Sequence, residues 1–203
     1  MIGAALLAPV FCNDLGFAKG LWYSLFHSIS AFCNAGFDLF GIKEPFSSLT
    51  FYHSNIYLNI IIMLLIITGG IGFLVWGDIG THKHRIRRYS LQSKVVLMTS
   101  AVLIVLPALY FFFFEYDHET IHDRTIHSLF QSVTTRTAGF NTTDLAAMDE
   151  SGTAIMVILM LIGGSPGSTA GGMKTATFAV LFLSAITVFS PVSYTHLTLP
   201  TKA

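Results

Sequence analysis

Apolar and polar stretches alternate along this chain at lengths that suit helices in a bilayer. Residues 1–11 are apolar, but at about 1.5 Å per residue they reach only half-way through a hydrocarbon core. They read as the end of a span or as a short interfacial helix. Asn13, Asp14 and Lys19 mark a watery loop. Residues 22–32 form a helical run of about three turns, long enough to enter a membrane and too short to cross it. A loop at residues 33–37 follows, and residues 41–50 are polar again. Residues 56–76 have spanning length, and Gly69, Gly70 and Gly72 would let a neighbouring helix come close. Residues 95–114 form a second run of that length, with Pro107 as a candidate kink. A polar loop at 115–124 leads to a second half-length helix at 125–135 and a second loop at 136–140. The last element begins apolar at 154–162, breaks into GGSPGSTAGG and resumes at 173–189. It reads as one span interrupted near its middle, the kind of break that marks ion sites and moving parts.

Composition agrees with a membrane class. Of 203 residues 53% are hydrophobic and 11% charged, with 18 Phe and a mean hydropathy of +0.66. That charge fraction is roughly half the soluble average. A net charge of zero gives no basic field for nucleic acid. Two cysteines, Cys12 and Cys33, make no disulfide framework. The start lacks the charged segment of a cleavable signal. Lys83, Arg85, Arg87 and Arg88 form the strongest basic cluster, so residues 77–92 are expected in the cytoplasm. The plain reading is a solvated topology signal; a nucleotide or lipid contact is the other. Asp117, Glu119 and Asp123 suit an outer loop. His118, His122 and His127 are candidate metal ligands there, though histidines in a wet loop need no metal.

The two loops are related. FHSISAFCNAGFD (26–38) and FQSVTTRTAGFN (130–141) match as Phe26-His-Ser-Ile-Ser with Phe130-Gln-Ser-Val-Thr, and as Ala35-Gly-Phe with Ala138-Gly-Phe. The register slips by one residue between these matches, and Gly36 and Gly139 stand 103 positions apart. Irregular backbone at membrane depth is tolerated where protein buries it or where it lines a watery path. Carbonyl oxygens on such a path replace the hydration shell of a cation. The candidate filter residues are therefore Cys33, Asn34, Ala35 and Gly36, with Arg136, Thr137, Ala138 and Gly139, holding a small cation through backbone carbonyls. A bare interhelical turn, with glycine permitting a positive φ, is the alternative for each loop. A guanidinium facing the path would repel cations, so Arg136 is expected to turn behind its loop towards an acid. Lys174, beside the glycine-rich break, is expected to face water or a partner, or to snorkel. A rival class is a nucleotide-binding enzyme with a buried strand at 154–164 and a phosphate loop at 167–175. The pattern G-x-x-x-x-G-K-[ST] needs lysine where Met173 stands, so the ammonium is misplaced.

FHSISAFCNAGFDLFG, QSVTTRTAGFN and IGGSPGSTAGGMKT resemble the Trk/Ktr family of potassium-uptake membrane subunits, nearest its Ktr-type, sodium-linked branch. The likeness covers about residues 12–189. It implies an all-α integral membrane fold of four M1–pore-loop–M2 repeats around one potassium path, and no enzyme. By that likeness residues 1–76 are the end of the second repeat, 77–92 a cytoplasmic loop and 93–189 the third repeat. The two loops become two filter quadrants facing outside. Gly163, Gly164, Ser165, Pro166, Gly167, Ser168, Thr169, Ala170, Gly171 and Gly172, with Lys174, become an intramembrane gate beneath them, mobile for want of side-chain packing. The resemblance also implies a homodimer in a bacterial cell membrane, in contact with lipid bilayer, under a cytoplasmic nucleotide-binding ring of RCK type. No cofactor is implied beyond the transported K+, with Na+ as co-ion or alternative cargo. The other repeats are not in this sequence, so the chain alone is expected not to conduct. Its tail, residues 190–203, departs from the pattern and reads as artefactual.

Overall fold

The computed structural model describes residues 1–42, 45, 47–83 and 85–189; the tail at 190–203 lies outside the described residues. Regular structure there is helical: α1 (Ile2–Leu15), α2 (Phe17–Phe32), α3 (Ile56–Ile71), α4 (Phe73–His82), α5 (Leu91–Tyr110), α6 (Ile121–Thr134), α7 (Glu150–Leu161) and α8 (Thr175–Phe189). One isolated β-bridge, Ile162 with Met173, interrupts this pattern. Helix α5 runs on through a wider π-turn, Phe111–Glu115. The 25 residues Leu91–Glu115, with an 18-residue stretch of mean hydropathy 2.4, form the one described helix long and apolar enough to cross a membrane unaided.

Several boundaries differ from the sequence expectation, for local reasons. Asn13 and Asp14 lie inside α1 and Lys19 inside α2, so the expected loop shrinks to Gly16. All three side chains sit on exposed positions at helix ends, where polar groups reach water without breaking the helix. α2 therefore begins at Phe17. α6 begins at Ile121, because Thr120 caps it by accepting from the Asp123 N–H at 3.3 Å. The loop before it shortens accordingly. Its acid Glu119 pairs with His127 at 2.7 Å.

The expected span at 56–76 is not straight. α3 stops at Ile71, and α4 leaves at 94° to it. Gly72 makes the corner at φ 91°, ψ 154°, a conformation that costs other residues strain. A Cβ there would stand 2.5 Å from Ser165 Oγ. The Phe73 N–H freed by the break donates to the Gly167 carbonyl at 3.0 Å. A distant segment thus takes up the backbone group that the bend exposes.

Packing draws the elements around the two loops. Leu7 and Phe11 of α1, Ile62 and Ile66 of α3, and Phe130 and Val133 of α6 share one buried cluster with Phe40 and Phe140, which follow the loops. His27 of α2 sits fully buried in this aromatic nest, 4.9 Å from the Phe40 ring centroid. Its Nδ1 donates to the Tyr23 carbonyl at 2.7 Å, and its Nε2 accepts from the Leu39 N–H at 3.4 Å. A second cluster joins Leu103 and Phe111 of the α5 rod to Met156 and Leu159 of α7.

Beyond the bend, the Asp78 carboxylate ties α4 to the start of α5. It accepts from the Ser90 N–H at 3.0 Å, Ser90 Oγ at 2.7 Å and Ser93 Oγ at 2.5 Å. These donors favour the charged form and hold the Asp78 carboxyl down to about 2. An unfolded aspartate titrates near 3.9. The stabilisation is therefore present above that value and lost as pH falls towards about 2. The gap in thermal midpoint between wild type and Asp78→Asn should stay constant above about pH 5 and narrow below about pH 4. A gap unchanged on acidification contradicts this account.

Candidate functional site

The two loops share one backbone design. In each, a helix ends and the chain passes through two positive-φ residues two positions apart: Asn34 (51°) and Gly36 (69°), then Thr137 (72°) and Gly139 (84°). The Ala35 N–H returns to the Ser30 carbonyl at 2.9 Å, and the Gly139 N–H to the Thr134 carbonyl at 3.1 Å. A hydroxyl in each last turn then reaches past the glycine. Ser30 Oγ donates to the Phe37 carbonyl and Thr134 Oγ1 to the Phe140 carbonyl, both at 2.7 Å. The one-residue slip of the repeat falls inside these two ties, so the first loop holds one residue more. Ser30 and Thr134 are the pair that sequence reading aligned without assigning a role.

The loops also meet each other. A Cβ placed on Gly36 would lie 2.1 Å from the Ala138 carbonyl oxygen and 3.1 Å from the Gly139 carbonyl carbon. One placed on Gly139 would lie 3.8 Å from Gly36 Cα, an ordinary contact. The structure thus brings Gly36, Ala138 and Gly139 together, backbone against backbone. Cys33 and Ala35 are exposed, Asn34 and Ala138 buried. The aromatics after the glycines diverge: Phe140 is fully buried, whereas Phe37 is 70% exposed.

Beneath the loops lies the glycine-rich segment, and it is fastened, contrary to the expectation of a loosely packed loop. Its neck closes through Gly163 N–H to Met173 O at 2.9 Å, Met173 N–H to Leu161 O at 3.1 Å and Thr175 N–H to Gly164 O at 3.1 Å. The Ser165 N–H donates to the Gly70 carbonyl at 3.0 Å, and its hydroxyl donates to the Ile71 carbonyl as well. Ser168 N–H turns back to the Ser165 carbonyl at 3.1 Å, past Pro166 and Gly167 at the α3–α4 corner. Thr169 Oγ1 donates to the Phe32 carbonyl at 2.8 Å and accepts from Asn34 Nδ2 at 3.0 Å. Lys174 Nζ donates to the Ala170 carbonyl at 2.7 Å, within its own segment. Gly171 and Gly172 are exposed. The close approach expected at Gly69 is made by this segment and by α2. A Cβ on Gly69 would fall 1.9 Å from Phe32 O and 2.9 Å from Thr169 Oγ1.

Arg136 runs from its loop to the glycine-rich segment and α5, and it meets no acid among the described residues. Its guanidinium donates to the Gly163 carbonyl and to Ser100 Oγ, both at 3.4 Å, and its Nε has no partner. Neutral oxygens take the place of a counter-ion: α5 carries no carboxylate and α7 only Glu150, at its start. The side chain is 9% exposed. Each filter-candidate loop thus sends one side chain, Asn34 or Arg136, into the glycine-rich segment.

A sequence model for TrkH, described as a cation transport protein, matches residues 1–197. The chain belongs to the TrkH family of cation transport proteins. That family is one of transporters, not enzymes. The chain is 41% identical over 194 residues to potassium/sodium uptake protein NtpJ of Enterococcus hirae, covering 93% of this chain and 42% of that protein. It is 38% identical over 192 residues to Ktr system potassium uptake protein B of Bacillus subtilis, covering 92% and 42%. Its fold is similar to the crystal structure of the potassium transporter TrkH from Vibrio parahaemolyticus, with a TM-score of 0.71 at 20% identity over 92% of this chain and 39% of that one. The chain spans about two fifths of the length of the curated relatives it matches.

In this TrkH-family chain the nucleotide-binding alternative fails on topology. The expected strand at 154–164 is mostly helix α7, so no strand feeds the glycine-rich turn. A cavity of about 230 Å³ lies between α3 and α5, lined by Asn34, Gly70, Ser100, Arg136 and Gly164 among apolar neighbours. Among the described residues no group of three His, Cys, Asp or Glu side chains is placed to hold a metal. The crowding at Gly36 and the room at Gly139 separate the two glycines experimentally. Gly139→Ala should cost about 1–2 kcal/mol, the strain of a side chain at positive φ. Gly36→Ala adds a backbone collision to the same strain and should lower the thermal midpoint of the purified protein much further. Equal losses would contradict the loop contact.

Proposed function

We propose that this chain is part of a membrane-embedded pore subunit that takes up K+ through a backbone-carbonyl filter gated by the glycine-rich segment. The observation that carries this reading is the meeting of the Gly36 and Gly139 loops, each following a helix C-terminus. A helix end carries roughly half a negative charge, which favours a cation. Backbone oxygens at such a point can replace the water a small cation sheds. In this reading the filter residues are Cys33, Asn34, Ala35 and Gly36 with Arg136, Thr137, Ala138 and Gly139. α2 and α6 are pore half-helices, α5 a first span, and α3 and the broken α7–α8 pair are second spans. Residues 1–76 and 93–189 then belong to successive repeats, and residues 77–92 face the cytoplasm of a bacterium. Relatives named for potassium or potassium/sodium uptake support the cargo class. A homodimer under a cytoplasmic nucleotide-binding ring belongs to the same proposal, supported by relatives named as parts of a Ktr system.

The gate is proposed to work by releasing its ties. Gly163–Gly172 lies under both loops, held by hydroxyls and by Asn34 and Arg136, so opening requires those hydrogen bonds to break. Sodium is the alternative cargo, favoured by the paired cations in the name of the Enterococcus hirae relative.

Rubidium uptake by the protein that carries this chain, expressed in a potassium-uptake-deficient bacterium, tests the gate. Thr169→Val removes the donor to Phe32 and the acceptor for Asn34. Two neutral hydrogen bonds at about 1 kcal/mol each would shift a closed gate towards open by about thirtyfold. Uptake should rise, as it should when part of Gly163–Gly172 is deleted. Unchanged or lower uptake at normal expression sinks the gate assignment, and uptake of sodium in place of rubidium sinks the potassium assignment.

A further inference from the structure

The basic turn between α4 and α5 has a feature that a topology signal does not need. Beside it lies an open groove of about 490 Å³, lined by Ile79, Ile86, Tyr89 and Leu97 with Lys83. Arg85, Arg87 and Arg88 stand exposed in the same turn, as does Lys83. Among the described residues none of these four cations makes an ion pair. The nearby acid, Asp78, is taken by Ser90 and Ser93 and lies 3.9 Å from His82. Lys94 is spent on the Arg87 carbonyl at 2.8 Å.

In the membrane placement proposed above, this groove falls at the boundary. The turn sits at the start of the 25-residue apolar rod. α4, turned 94° from α3, exposes Phe73, Leu74 and Trp76 on the way to the basic residues. An apolar helix face running into unpaired Lys and Arg is the arrangement of an interfacial segment. Basic pockets on the cytoplasmic side of membrane helices fit anionic headgroups. A free anion would use the charges but leave the apolar walls without purpose.

We infer that this groove binds an anionic phospholipid of the cytoplasmic leaflet. The headgroup phosphate sits among Lys83, Arg85, Arg87 and Arg88, and an acyl chain lies along Ile79, Ile86 and Leu97. The inference rests on the membrane placement in the proposed function and not on the ion path.

The test is lipid retention by the full protein, purified in detergent, incubated with phosphatidylglycerol or phosphatidylcholine and read by native mass spectrometry. Phosphatidylglycerol should be retained preferentially. Each basic residue at an anionic surface contributes roughly fivefold, so Arg87→Gln/Arg88→Gln should cut that preference about twenty-five-fold while Lys83 and Arg85 keep the topology. Ile86→Glu, at an exposed position, should weaken retention through the apolar wall. Equal retention of both lipids, or a preference untouched by the double variant, overturns the site. So does displacement of the lipid by inorganic phosphate at equal concentration, which would make it a simple anion site. Loss of a co-purifying cytoplasmic protein with lipid retention unchanged would make it a protein dock and also overturns the proposal. A failed membrane placement reads out separately, as protein that stays in the soluble fraction without detergent.

Discussion

The loops that follow two helix ends meet backbone against backbone, and much of the remaining structure serves that approach. Gly36 has no room for a methyl group against Ala138, and both loops need positive φ at matched positions. Such backbone holds its shape only when its surroundings over-determine it. Here the determinants are the Ser30 and Thr134 hydroxyls, which fix the carbonyl after each glycine. The buried Phe40–Phe140 cluster and His27 then hold the chain that leaves the loops.

The same constraint reaches the glycine-rich segment. α3 breaks at Gly72, and the segment occupies the break, trading hydrogen bonds with Gly69, Gly70, Ile71 and Phe73. Thr169 joins it to the last carbonyl of α2 and to Asn34, while Arg136 joins its neck to the other loop. Loops, corner and segment therefore form one connected network of backbone groups. A change in any part alters the partners of the others, which is how the proposed gate would be coupled to the proposed filter.

Most helix positions and the likeness of the two loops were legible in the sequence, because they follow from apolar length and from the matched motifs. The loops were legible too, since Ala-Gly-Phe occurs twice after a half-length helix. What escaped was set by tertiary partners. The bend at Gly72 depends on a segment about a hundred positions away, and residues 56–76 read as a straight span without it. The partner of Arg136 was sought among acids, whereas a backbone carbonyl and a serine hydroxyl receive it. The glycine-rich segment looked loose because side-chain volume is easy to count and hydroxyl-to-carbonyl ties are not. The role of Ser30 and Thr134 was within reach, because the repeat aligns them and a last-turn hydroxyl is free to bond onward. The two copies differ where neighbours differ, as Phe37 and Phe140 show.

The central claim is that the Gly36 and Gly139 loops form part of one cation site. It is tested most directly by anomalous scattering from crystals of the protein that carries this chain, grown with rubidium in place of potassium. The account predicts rubidium peaks within coordination distance of backbone carbonyl oxygens from residues 33–36 and from residues 136–139 together. Rubidium bound elsewhere, with no peak shared by the two loops, would contradict it.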